Sequence, residues 1–148
     1  MPGRFASAFA LWCALSGAAS LHPSSGEIAA PILGKEFYAG LQETQPIKRD
    51  YFLDARLNRI ISGKGSVVAV ETVSRYKRKY RLTLAGQGSG PVSITYLVFT
   101  DRDEYLKMLH KNDIFEFKGQ FIIYTPLNSL RDSYIFDVVL EDGAIVVE

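Results

Sequence analysis

Ser74–Leu84 reads SRYKRKYRLTL: five cations (Arg75, Lys77, Arg78, Lys79, Arg81), two tyrosines (Tyr76, Tyr80) and no acid. Cations interleaved with rings suit an anionic partner. Ammonium and guanidinium groups pair with phosphates or carboxylates, and nucleic-acid bases stack on rings. Alternation places Tyr80 with Leu82 and Leu84 on an inward face, leaving Arg81 outward. The plainer reading of the same residues is a solvated hairpin, because lysine-rich strands protect sheet edges from aggregation. Downstream, Thr125–Ser133 adds Asn128, Ser129 and Arg131 as further polar groups, with Tyr124 just before it as a third ring.

Other chemistries find little support. The chain has two histidines, His22 and His110, and no His/Cys group with zinc spacing. His110 follows a helical stretch, where the helix dipole accounts for it, and a serine triad would lack a serviceable base. Asp101, Asp103 and Glu104 stand at a helix start, where capping explains acids better than a metal does. Glu71 is the lone acid near the basic stretch, so no carboxylate pair serves a nuclease. GQGSGP at Gly86–Pro91 precedes a strand and not a helix, so it cradles no phosphate. The expectation is a chain without catalytic residues, metal or cofactor.

Charge is divided along the chain. Leu57–Thr100 holds seven Lys/Arg and one acid, whereas Asp101–Glu148 holds ten acids and five bases. Such a split can steer an anionic partner to one end. The N-terminus MPGRFASAFALWCALSGAASL has one cation, an apolar run Phe5–Leu15 and small residues around Ala18 and Ser20. This is the pattern of a cleaved signal peptide, and the run is too short to span a bilayer. Residues 1–20 are therefore expected to be removed, which sends the protein to the periplasm or outside the cell. The chain's single cysteine, Cys13, leaves with them, so no disulfide is expected.

Residues 21–45 are expected to be a flexible leader, opening with LHPSSGEIAAP. Ile47–Arg59 has Ile47, Tyr51, Phe52 and Leu57 at roughly helical spacing, with Lys48, Arg49, Asp50, Asp54 and Arg56 as a solvated face. The period then becomes two. GSVVAVETV, YRLTLAG and VSITYLVFT read as three strands, the third apolar on both faces. TDRDEYLKMLHKND reads as a helix, with Thr100 and Asp103 as a capping box and Asn112 as the stop. DIFEFKGQFIIY and YIFDVVLEDG are the fourth and fifth strands; Gly119 marks a bend, and AIVVE follows a turn at Asp142–Gly143.

Three strands, a helix and two strands make the order of the OB-fold, a five-stranded Greek-key barrel. GKGSVVAV (Gly63–Val70) resembles its coiled first strand, and LHKNDIFEFKGQF (Leu109–Phe121) its entry to strand four. Over roughly Leu57–Asp142 the chain resembles the secreted bacterial OB-fold proteins labelled tRNA-anti-like. The resemblance implies a mostly β barrel; with the N-terminal helix read at Ile47–Arg59, the expected domain spans residues 46–148. It also implies a ligand surface across strands two and three, bounded by the loops after strands one and four. The expected ligand-binding residues are Arg75, Lys77, Arg78, Lys79, Arg81, Asn128 and Arg131. The partner would be an anionic polymer, such as single-stranded nucleic acid or an envelope glycan, or an acidic protein surface. The alternative is a structural or adaptor protein of the cell envelope.

Overall fold

The computed structural model describes residues 32–88 and 90–146, so the expected signal peptide and the start of the expected leader lie outside the described residues. The elements are α1 (Lys35–Glu43), a 3-10 turn (Pro46–Lys48), α2 (Arg49–Asp54), β1 (Ile60–Arg75), β2 (Arg78–Gly86), β3 (Ser93–Thr100), α3 (Glu104–Met108), β4 (Ile114–Pro126) and β5 (Ser133–Val146). The strands close into a barrel in the order β1-β2-β3-β5-β4. β3 and β5 run parallel; every other pair is antiparallel. With α3 between β3 and β4, this is the OB-fold topology expected from the strand order.

β1 serves two neighbours. It pairs with β4 from Ile60 to Ser66 and with β2 from Gly65 onward. The strand must coil tightly to do so. A Cβ on Gly63 would lie 2.5 Å from the Phe117 ring, and one on Gly65 would lie 2.7 Å from the Ala85 carbonyl oxygen. Only glycine permits that approach. Period-two alternation then turns Leu82, Leu84, Ile94, Tyr96, Val98, Phe117, Phe136 and Val138 into one buried core.

β4 bends where the sequence places Gly119, and its register against β5 shifts between Phe117 and Gly119. The same shift absorbs the surplus length of β5. That strand runs unbroken through Asp142 and Gly143, so the expected turn and separate last strand do not form.

The two barrel ends are closed by helices. α3 closes one through Tyr105, whose ring meets Phe115 edge-on at 5.4 Å. The expected capping box is absent. α3 begins at Glu104 after Asp103, which makes no side-chain cap, and Thr100 Oγ1 accepts the Arg102 N–H at 3.2 Å.

α1 closes the other end, where a flexible leader was expected. Phe37 and Leu41, four residues apart, are buried on one face. The Phe37 ring packs 5.8 Å from Phe52, 6.2 Å from Phe121 and 6.3 Å from Phe136. Gln42 accepts the Val92 N–H at 2.8 Å and donates to the Val92 carbonyl at 3.0 Å. Among the described residues no helix is long and apolar enough to cross a membrane.

The expected helix Ile47–Arg59 shrinks to α2, and its phase is different. Pro46 starts a separate 3-10 turn, which resets the rotation. Ile47 and Tyr51 are 81% and 77% exposed, while Leu53 is fully buried. Arg49, expected in solvent, is 4% exposed. A buried cation needs acceptors, and its Nε and Nη1 donate to the carbonyls of Thr44 at 3.0 Å and Arg131 at 2.8 Å.

Candidate functional site

β1 and β2 are joined by Tyr76 and Lys77 alone, with φ of 53° and 56°. Two left-handed residues make a type I′ turn, whose twist suits a hairpin. Residues with a Cβ lose about 1–2 kcal/mol each in that region. Tyr76 offsets its share. Its hydroxyl donates to Asp137 Oδ2 at 2.8 Å and its ring meets Phe99 edge-on at 4.9 Å. A hydrogen bond to a charged acceptor is worth about 1.5–3 kcal/mol and a ring pair about 0.5–1.5, so the contacts outweigh the strain. Burial first, and then the Asp137 hydrogen bond, raise the Tyr76 hydroxyl above the usual tyrosine pKa, which keeps it a donor.

Asp137 is 3% exposed. Its second partner is Arg75, at 3.3 Å. Arg75 also lies over the Tyr76 ring at 5.0 Å and the Phe99 ring at 5.9 Å. The hairpin tip is thus folded across the outer face of β3. Phe99, on the face opposite the core residues Tyr96 and Val98, is fully buried as a result.

The five cations of the opening motif divide accordingly. Arg75 pairs with Asp137, Arg78 with Asp101 at 3.5 Å, and Arg81 with Glu71. Asp101 also accepts the Lys79 backbone N–H at 3.0 Å. Glu71, expected to stand alone, and Asp101, expected to cap a helix, are therefore counter-charges of the hairpin. Among the described residues the ammonium groups of Lys77 and Lys79 make no ion pair. Both lysines are exposed.

The rings also differ from expectation. Tyr76 is committed to Phe99 and Asp137. Tyr80 is half-buried where the core was expected. The Tyr124 hydroxyl donates to Asp54 Oδ1 at 2.7 Å.

Asn128 and Arg131 lie elsewhere. Tyr80 pairs with Thr100 and Ser93 with Ser133, so the β1–β2 turn adjoins the end of β3 and the β4–β5 loop adjoins its start. At ~3.3 Å per residue these loops are separated by roughly 20 Å or more. They bracket the outer face without forming one cluster. Arg131 Nε donates to Asp50 Oδ2 at 3.0 Å and Nη1 to the Asn128 carbonyl at 3.0 Å, while the Asn128 amide donates to Asp132. Asp50 also accepts the Tyr134 hydroxyl at 3.0 Å. These residues fasten α2 to the loop.

Sequence reasoning missed Asp137 as an organiser of the hairpin. The signal was there: in YIFDVVL the only charge is an acid among residues apolar on both faces. A buried acid needs a cation and a donor, and the basic hairpin supplies both. A cavity of about 320 Å³ between α1 and the β2–β3 connection is lined by Tyr38, Gln42, Gly86 and Tyr96, among others. Of its polar groups, Gln42 is committed to Val92 and the Tyr38 hydroxyl to the Ser62 carbonyl at 2.8 Å. His110 is exposed beside Asp113, 3.7 Å from its carboxylate.

No family model and no curated protein matches the chain. Among solved structures it is similar to Entamoeba histolytica asparaginyl-tRNA synthetase in complex with asparaginyl-adenylate, at 14% identity and a TM-score of 0.43. The match covers 80% of this chain and 24% of the synthetase, so the chain spans about a quarter of that protein's length.

Proposed function

We propose that the chain is a non-catalytic, exported binding domain whose basic β1–β2 hairpin holds an acidic protein surface. The observation that carries this is the division of the motif. Lys77 and Lys79 stand free at the hairpin tip, while Phe99, the outward aromatic of β3, is closed beneath Tyr76 and Arg75. Free ammonium groups attract carboxylates. A closed ring offers no stacking platform, which tight binding of single-stranded nucleic acid requires. The non-catalytic reading draws on His110, whose only side-chain partner among the described residues is Asp113. Export rests on residues 1–20, and mass spectrometry of the secreted or periplasmic protein should find a chain beginning near Leu21. An intact Met1 would remove that part.

The test is fluorescence anisotropy with a labelled glutamate-rich peptide and a labelled single-stranded oligonucleotide, each titrated at rising salt. The peptide should bind more tightly, and its affinity should fall with salt. Exchanging both Lys77 and Lys79 for serine should lower that affinity by up to about thirtyfold, since exposed charge pairs contribute up to ~1 kcal/mol each. Tighter binding of the oligonucleotide than of the peptide overturns the reading.

The adaptor alternative is favoured by one observation. Ile47 and Tyr51, four residues apart, are both strongly exposed on the segment that Arg131 fastens to the barrel. A contact made there would be apolar and indifferent to salt.

A further inference from the structure

β1 has a free edge. From Ile60 to Ser66 the strand is paired on the β4 side, and Val67 is closed there by main-chain bonds from its N–H to the Asp113 carbonyl and from the Asn112 N–H to its own carbonyl, both 2.8 Å. From Val68 to Arg75 the strand pairs with β2 alone. Among the described residues no main-chain bond is made on its other side. Burial stops at the same point. Val67 is buried, and no residue from Val68 to Arg75 is. The segment VVAVETV is rich in β-branched residues, which favour strand pairing. Its single charge, Glu71, is engaged by Arg81. An edge with unpaired N–H and C=O groups is a template for another strand.

We propose that this edge takes an extended acidic peptide as an added strand. The inference rests on the reading of the hairpin as the site of an acidic partner, and it names how that partner enters. Charge selects the occupant. Lys77 stands at the turn end of the edge, and Lys111 stands beside the Asn112–Asp113 turn that closes the other end; neither makes an ion pair among the described residues. A strand with acids at both ends meets both lysines, and its apolar middle meets the exposed Val68. The sugar-phosphate backbone of a nucleic-acid strand has no N–H groups at peptide spacing to complete the ladder. Register shifts at Val67/Ala69 and Thr72/Arg75 bound the regular run to Ala69–Thr72, so the added strand is short. Main-chain bonds then supply affinity and the lysines supply selection.

The probe is a short peptide of alternating Val and Thr with a Glu pair at each end, compared with the same peptide N-methylated on its central residues. Both carry equal charge, and only the first can complete a ladder. The unmethylated peptide should bind about tenfold or more tightly than its counterpart, and a nitroxide on it should broaden the amide signals of Val68–Ser74. Equal affinity of the two peptides, or broadening confined to other strands, overturns strand addition and leaves the charge-based reading standing. Failure of both to bind at up to about 1 mM, a free energy of ~4 kcal/mol, overturns the reading and the inference together. Displacement of the bound peptide by a single-stranded oligonucleotide at equal charge overturns the choice of a peptide.

Discussion

The two halves of β1 are one continuous strand with opposite circumstances. Ile60–Val67 is held between neighbours, threads two glycines past Phe117 and Ala85, and buries Ile61 and Val67. Val68–Arg75 has one neighbour and buries nothing. Strand propensity does not distinguish them, since the outer half is the richer in β-branched residues. What differs is whether the barrel needs the residues. The inner half closes the barrel, and the outer half is length beyond closure. It ends in a turn held by Tyr76 on Asp137 and not by a core. Stability therefore belongs to the first half, and the proposed strand addition draws on the second.

Substitution should separate the halves most strongly. Ile61→Ala removes a fully buried side chain and should cost about 2–5 kcal/mol in chemical denaturation. Val68→Ala, at an exposed position, should stay within about 0.5 kcal/mol. Comparable losses at both positions would erase the distinction.

Alkaline titration sharpens it from the side of the core. Tyr96 is buried at the barrel end that α1 closes, and burial pushes its hydroxyl pKa up to about 12. A tyrosine whose folded pKa is raised contributes stability that is complete below its unfolded value of about 10 and is lost as pH rises towards 12. The loss should reach about 3 kcal/mol from this group, at ~1.4 kcal/mol per unit. Tyr96→Phe should flatten that part of the pH–stability curve, and an unchanged curve would refute the assignment.

The smallest effect lies in the turn. Lys77→Gly relieves a left-handed residue and should stabilise the fold by about 1 kcal/mol. The same change should weaken the acidic peptide, because it deletes an unpaired cation. Stability and affinity would then move in opposite directions at one position; a loss of both would mean that Lys77 supports the fold.

The barrel was legible because its strands are local and regular. Alternation identified the five strands, and glycine identified the coil of β1 and the bend of β4. The N-terminal elements were not legible. Phe37 and Leu41 mark a helix only once a barrel end exists for them to fill, and Arg49 finds its acceptors on Thr44 and on the distant Arg131. The site was legible as a cluster of cations and illegible as a charge balance. Arg75 meets Asp137 on β5, far along the chain, and Arg78 meets Asp101 just past the end of β3. Lone cations in a sequence become paired or free only through register.

Amide hydrogen exchange along β1, measured with and without the unmethylated acidic peptide, tests the central claim most directly. In the free protein Ile60–Val67 should exchange slowly, and the outward amides of Val68–Arg75 should exchange fast. The peptide should protect alternate amides within Val68–Arg75 and leave Ile60–Val67 unchanged. Slow exchange across the whole free strand, or bound peptide with no new protection beyond Val67, would contradict the account.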